Sequence, residues 1–115
     1  MLELKNYIKL SSKISIYVPA TEDVNRTIDN KKQVDETAAF LADCFGGSTS
    51  SAAVGYWVSN TAGLVRENTT IVFAYASDTA LKNHIDDVVQ YCFNLKSEMK
   101  QESIAIEING EMYFI

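Results

Sequence analysis

Along the last third of the chain, apolar residues recur with the period of a helix and then switch to the period of a strand. Leu81, Ile85, Val88, Cys92, Leu95 and Met99 follow one another at steps of four, three, four, three and four, which stacks them into one stripe on a long helix. From residue 103 the pattern alternates, with Ile104, Ile106 and Ile108 set against Ala105 and Glu107. Asn109-Gly110 follows, then a second alternating run to Ile115. Asn-Gly between alternating runs predicts a hairpin with a two-residue type I′ turn. That register pairs Ile108 with Glu111, Glu107 with Met112, Ile106 with Tyr113, and Ala105 with Phe114. A helix with one apolar stripe needs a sheet to cover, and the hairpin supplies its first strands.

The rest of the chain supplies the other elements. Residues 1–11 fit neither period: Leu4 and Ile8 would share a helical face, Leu2 and Leu4 a strand face. Ile14, Ile16 and Val18 alternate with Lys13, Ser15 and Tyr17, and Pro19 stops that strand because it cannot donate to a ladder. A polar stretch at 20–32 leads to Asn30 and Gln33, spaced for a reciprocal capping contact. Val34, Ala38, Leu41 and Phe45 then mark a helix that Gly46-Gly47 ends. Ala53, Gly55 and Trp57 alternate with Val54, Tyr56 and Val58, turn chemistry fills 59–63, and the β-branched and aromatic run at 69–76 predicts a central strand. Ser77 or Asp78 caps the long helix. The order β-α-β-β-α-β plus one C-terminal strand predicts a single domain over 1–115. Its class is α+β, a ferredoxin-like two-layer sandwich with both helices on one face of an antiparallel sheet.

The hairpin register divides the sheet's two faces. Ile104, Ile106, Ile108, Tyr113 and Ile115 are expected under the helices beside Ile14, Ile16 and Val18. Ala105, Glu107, Met112 and Phe114 are expected on the other face with Tyr17, Trp57, Val72, Ala74 and Ala76. An apolar face that a two-layer sandwich leaves bare marks an interface or ligand groove unless another segment covers it. Tyr17, Trp57, Val72, Met112 and Phe114 are the candidates for it. In the 20–32 loop, Glu22, Asp23, Arg26 and Asp29 are the candidates for polar recognition, set against a plainly solvated loop.

Charge narrows the partners. A formal net charge of −5 and a pI near 4.7 argue against nucleic acid and against an anionic membrane surface. At 47% hydrophobic and 22% charged residues the chain is ordinary globular material. No run approaches 18 apolar residues and no secretory signal is visible, so a soluble cytoplasmic protein is expected. Cys44 and Cys92, each within an apolar helical pattern, read as free thiols in a reducing compartment. No cysteine–histidine spacing suits a metal, and no cofactor or catalytic residue is indicated. His84 reads as a boundary residue of the long helix. Asp86-Asp87 reads as a solvated pair, Arg66 and Glu67 as an exposed ion pair, and the GGSTSS stretch at 46–51 as a helix stop rather than a phosphate loop.

The ISIYVP stretch at 14–19, FGGS at 45–48 and QESIAIEING at 101–110 resemble small bacterial proteins, some of them carried by phages and other mobile elements. The resemblance implies a cytoplasmic accessory protein and transfers no catalytic residue. The leading expectation is therefore a non-enzymatic module that binds a protein partner, or itself as a homodimer, through the open sheet face. An inhibitor of a host protein is one form of it. The alternative is a small-molecule-binding protein or cofactor-independent enzyme of the dimeric α/β-barrel type, with Tyr17, Trp57, Tyr75 and His84 as the residues of interest.

Overall fold

A computed structural model describes residues 3–22 and 26–115. A 3-10 turn, Leu4–Asn6, opens the described chain and buries nothing. Strand β1 is Ser12–Pro19, followed by a small two-stranded ribbon of β2 (Thr21–Glu22) and β3 (Arg26–Thr27). Helix α1 (Lys31–Phe45), strands β4 (Thr49–Ser59) and β5 (Gly63–Ala76), helix α2 (Asp78–Glu98), and strands β6 (Ala105–Ile108) and β7 (Glu111–Phe114) complete it.

The five long strands form one antiparallel sheet in the order β4-β5-β1-β6-β7, with the two helices against one face. The fold is thus a mixed α+β one. The β6–β7 register is the one the Asn-Gly turn dictates, pairing Ile108 with Glu111 through Ala105 with Phe114. Asn109 and Gly110 both take positive φ, as a type I′ turn requires.

The caps differ in detail from the sequence expectation. Ser77 caps α2, its hydroxyl accepting from the Ala80 amide at 3.1 Å, while Asp78 is turned to the Ser11 and Ser12 hydroxyls. Gly46 ends α1 in the left-handed conformation at φ 93. Asn30 makes no side-chain cap. Its amide donates instead to the Val18 and Pro19 carbonyls, both at 3.2 Å, tying the start of α1 to the end of β1.

The core lies between the sheet and the helices: Ile14, Ile16, Val18, Val72, Ala74, Ile104 and Ile106 from the strands meet Leu41, Val88, Cys92, Leu95 and Met99. This corrects the expected position of Val72, Ala74 and Ala76. Cross-strand partners share a face, and the register sets Val72 opposite Ile16 and Ala74 opposite Ile14. The even residues of β5 from Val72 to Ala76 therefore lie under the helices, and Val72 is fully buried. The bare face receives Ile71, Phe73 and Tyr75 instead.

Strand β1 ends early relative to its neighbour. Its pairing with β5 runs from Ser12 opposite Ala76 to Pro19 opposite Thr69 and then stops. One further bond, from the Ala20 amide to the Asn68 carbonyl, closes the edge. Strands β4 and β5 continue as a two-stranded arm to the turn between Ser59 and Gly63. On the arm neither face is packed: Tyr56, Val58 and Leu64 on one side and Trp57 on the other are all exposed.

Candidate functional site

Where β1 stops and β5 goes on, the free edge of β5 borders a recess of about 580 Å³. It lies between the arm (Trp57, Ser59, Val65, Glu67) and the start of the ribbon (Ala20, Thr21, Thr27). A smaller recess of about 170 Å³ adjoins it on the bare sheet face, lined by Tyr17, Pro19, Gly55, Gln101 and Ser103 among others. Trp57 and Glu67 border both. A strand edge offers unpaired backbone donors and acceptors in addition to its side chains. The cleft therefore combines an aromatic wall, one carboxylate, the Arg66 guanidinium at its border and free main-chain polar groups, a mixture suited to a small-molecule site.

Glu67 is the charged centre of this cleft. It sits opposite Gly55 in the β4–β5 register, and because partners share a face the missing side chain leaves room in front of the carboxylate. Nothing approaches a Cβ built on Gly55 closer than the Glu67 carbonyl at 3.7 Å. The Thr21 hydroxyl donates to Glu67 Oε1 at 2.8 Å. Gln101 Nε2 in turn donates to the Thr21 carbonyl at 2.9 Å. Oε2 of Glu67 accepts no hydrogen bond among the described residues, which leaves it available to a cation. Half-buried among Trp57, Tyr17 and Val65, such a carboxylate binds a cation more strongly than one in open water.

The expected residues are divided by the structure. Tyr17 and Trp57 come together at the cleft, with Trp57 47% exposed. Phe114, opposite Ala105 of the smaller recess, stands on the same bare face one strand further out. Met112 is displaced along the sheet, in the row Phe73, Ser15, Glu107, Met112. Val72 belongs to the core. Of the loop candidates, Glu22 lies 3.8 Å from Arg26 and 3.6 Å from Lys100, while Asp29 accepts from the Lys31 amide at 3.0 Å. Asp23 lies outside the described residues. His84 is on the helix layer, edge-on to Phe45 with centroids 5.7 Å apart, and does not reach the cleft. Tyr75 is on the bare face at the far end of β5, opposite Lys13, whose ammonium lies over the Phe73 ring at 4.8 Å.

The expected Arg66–Glu67 ion pair is absent among the described residues; successive strand residues point to opposite faces and Glu67 turns to Thr21 instead. Glu67 is the residue the pattern missed. The available signal was Gly55 among β-formers, a marker of close approach in a strand.

Cys44 and Cys92 are free thiols on the two helices. Burial pushes Cys92 up to about 12 and raises Cys44 as well, so neither is a ready nucleophile. Among the described residues no group of His, Cys, Asp and Glu is arranged to hold a metal ion, and no helix is long and apolar enough to cross a membrane.

No family model matches the chain, and no curated protein does. Two solved structures do. A phage SAM lyase in complex with S-methyl-5′-thioadenosine is 20% identical, with a TM-score of 0.65 over 94% of this chain and 91% of that one. A phage SAM lyase in the apo state is 18% identical, with a TM-score of 0.65 over 95% of this chain and 94% of that one. At such identities the likeness establishes a shared fold along nearly the whole chain. It overturns the expectation of a non-enzymatic binding module, because the solved proteins that share this architecture are enzymes.

Proposed function

We propose that this chain is a lyase that cleaves S-adenosylmethionine in the cleft around Glu67, on a ferredoxin-like scaffold extended by β7. The observation that carries the reading is the placement of one half-buried carboxylate between Trp57 and Tyr17, in a fold shared from end to end with a SAM lyase. The scaffold assignment is supported by the antiparallel strand order and by helices confined to one face. Because the substrate is an intracellular metabolite, the cytoplasm is the compartment that fits.

The substrate's chemistry suits the cleft. S-adenosylmethionine carries a sulfonium and an ammonium, and both are drawn to a carboxylate flanked by aromatic faces. The adenine ring is a flat apolar body suited to stacking on Trp57, and the hydroxyls of Ser59 and Thr61 suit the ribose edge. If S-methyl-5′-thioadenosine is the product, the methyl and adenosyl groups stay on sulfur and the bond to the four-carbon amino-acid arm breaks. Closure of the substrate's own carboxylate onto that carbon balances the reaction without water. A C–O bond forms, the C–S bond pair returns to sulfur, and the cation and anion cancel. A transition state in which charge is neutralised is favoured where water is scarce. Substrate stacked on Trp57 excludes water from that side of the reacting centre, and Glu67 holds the ammonium so that the carboxylate faces the reacting carbon.

The test is direct. Purified protein incubated with S-adenosylmethionine should release S-methyl-5′-thioadenosine, read by chromatography. Glu67→Gln should cut the rate by at least about 100-fold, roughly 2.7 kcal/mol of transition-state stabilisation. Wild-type protein that leaves the substrate intact would sink the proposal.

A further inference from the structure

We infer that Thr21 is a positioning residue for Glu67, held in turn by the C-terminal end of α2; this rests on the reading of Glu67 as the group that grips the substrate. The inference starts from backbone geometry. Helix α2 ends with Met99 as its cap, and Lys100 follows at φ 53, in the left-handed region rarely used by residues other than glycine. The Gln101 amide donates to the Lys96 carbonyl at 3.0 Å and the Lys100 amide to the Ser97 carbonyl at 3.3 Å. That pair of bonds is a Schellman closure. It turns the chain sharply and fixes where the Gln101 side chain begins.

From that fixed point Gln101 Nε2 reaches both the Thr21 carbonyl at 2.9 Å and the Met99 carbonyl at 3.3 Å. One amide thereby bridges the helix end and the start of the ribbon, two segments 80 residues apart in sequence. Lys100 reinforces the junction through Glu22 at 3.6 Å. Thr21 is then presented to Glu67 with its hydroxyl 2.8 Å from Oε1. A glutamate on a strand edge opposite a glycine keeps several rotamers open, because its direct cross-strand partner offers no side chain to confine it. The Thr21 hydroxyl selects one of them and leaves Oε2 directed at the cleft. β2 pairs through only two residues, so the Gln101 bridge adds to the Ala20–Asn68 backbone bond in keeping this donor in place.

A double-mutant cycle on S-methyl-5′-thioadenosine release separates this role from a structural one. Thr21→Val removes the hydroxyl at constant shape and should lower kcat about tenfold with KM changed less than about twofold, the pattern of an interaction expressed in the transition state. Thr21→Ser keeps a donor and should recover to within about threefold of wild type. Gln101→Met, which loosens Thr21 without removing its hydroxyl, should cost roughly threefold. In a Glu67→Ala background, assayed by long incubation, Thr21→Val should cause no further loss. Two results would overturn the inference while the wild type still turns over: unchanged kcat in Thr21→Val, or the same tenfold loss with and without Glu67. The first makes the hydroxyl idle and the second makes it structural. A wild type without turnover fails earlier, on the functional reading itself, and takes this inference with it.

Discussion

The two halves of β5 share one strand and differ in almost everything else. Its C-terminal half, residues 69–76, is paired with β1 along its length and its even side chains are sealed under the helices. Its N-terminal half, residues 63–68, is paired only with β4, is exposed on one face and is only half-buried at Val65 and Glu67 on the other. Burial on one face, and ladder bonds on both edges as far as Phe73, make the first half part of the protein's stability. An open edge and an open face make the second half available for chemistry. The contrast teaches that the cleft is assembled outside the core, so its residues can be altered without unfolding the protein.

Substitutions can break that separation in either direction. The largest expected effect on stability is in the layer over the covered half: Leu41→Ala on α1 removes a fully buried side chain from the cluster with Val72 and Ile16. It should lower unfolding free energy by about 2–5 kcal/mol in a urea titration. Beside the bare half, Trp57→Ala on β4 should change that free energy by no more than about 1 kcal/mol, since about half of the residue is already in solvent. The same substitution should slow S-methyl-5′-thioadenosine release at least about tenfold if the ring stacks on the substrate. A variant that unfolds, or one that cleaves normally, would erase the distinction between the halves.

The smallest effect concerns the far end of the covered half. The Ser12 hydroxyl at 2.6 Å and the Ser11 hydroxyl at 2.9 Å hold the Asp78 carboxyl below its ordinary value. A carboxyl depressed in the folded state adds stability above its unfolded value of 3.8, and that contribution is lost as pH falls through the folded one. Thermal melting between pH 6 and pH 2 should therefore show a slightly shallower acid slope for Asp78→Asn than for wild type. Activity at neutral pH should not follow it.

Periodicity made much of this architecture readable. The Asn109-Gly110 register, the glycine stop of α1, the stripe of α2 and the α+β class all rest on contacts within a few residues of each other. The errors lie where the answer depends on how distant strands align. Residues 69–76 alternate between two apolar sets, so either could have faced the helices. Only the pairing of Ile16 with Val72 decides it, and sequence spacing does not encode that partner. Asn30 has the residue type of a cap, yet the carbonyls of Val18 and Pro19 compete for its amide more successfully. Glu67 looked like half of a surface ion pair because its surroundings are defined by Thr21, 46 residues away, and by the point at which β1 ends. Tyr17 and Trp57 do stand on the face expected of them, Tyr17 because it alternates with Ile16 and Val18 of the core.

Pro19 gives the last consequence. It ends β1 opposite Thr69, leaving residues 63–68 at the start of β5 without that neighbour, and the cleft is the space that this shortfall leaves behind. The dimensions of the site are accordingly a difference between two strand lengths, not a property of the helices or the core. Residues added to or removed from the Ser59–Gly63 turn would resize the arm and the pocket wall together, while the hydrophobic interior stayed as it is. A fold arranged in this way can exchange one substrate for another by editing a hairpin.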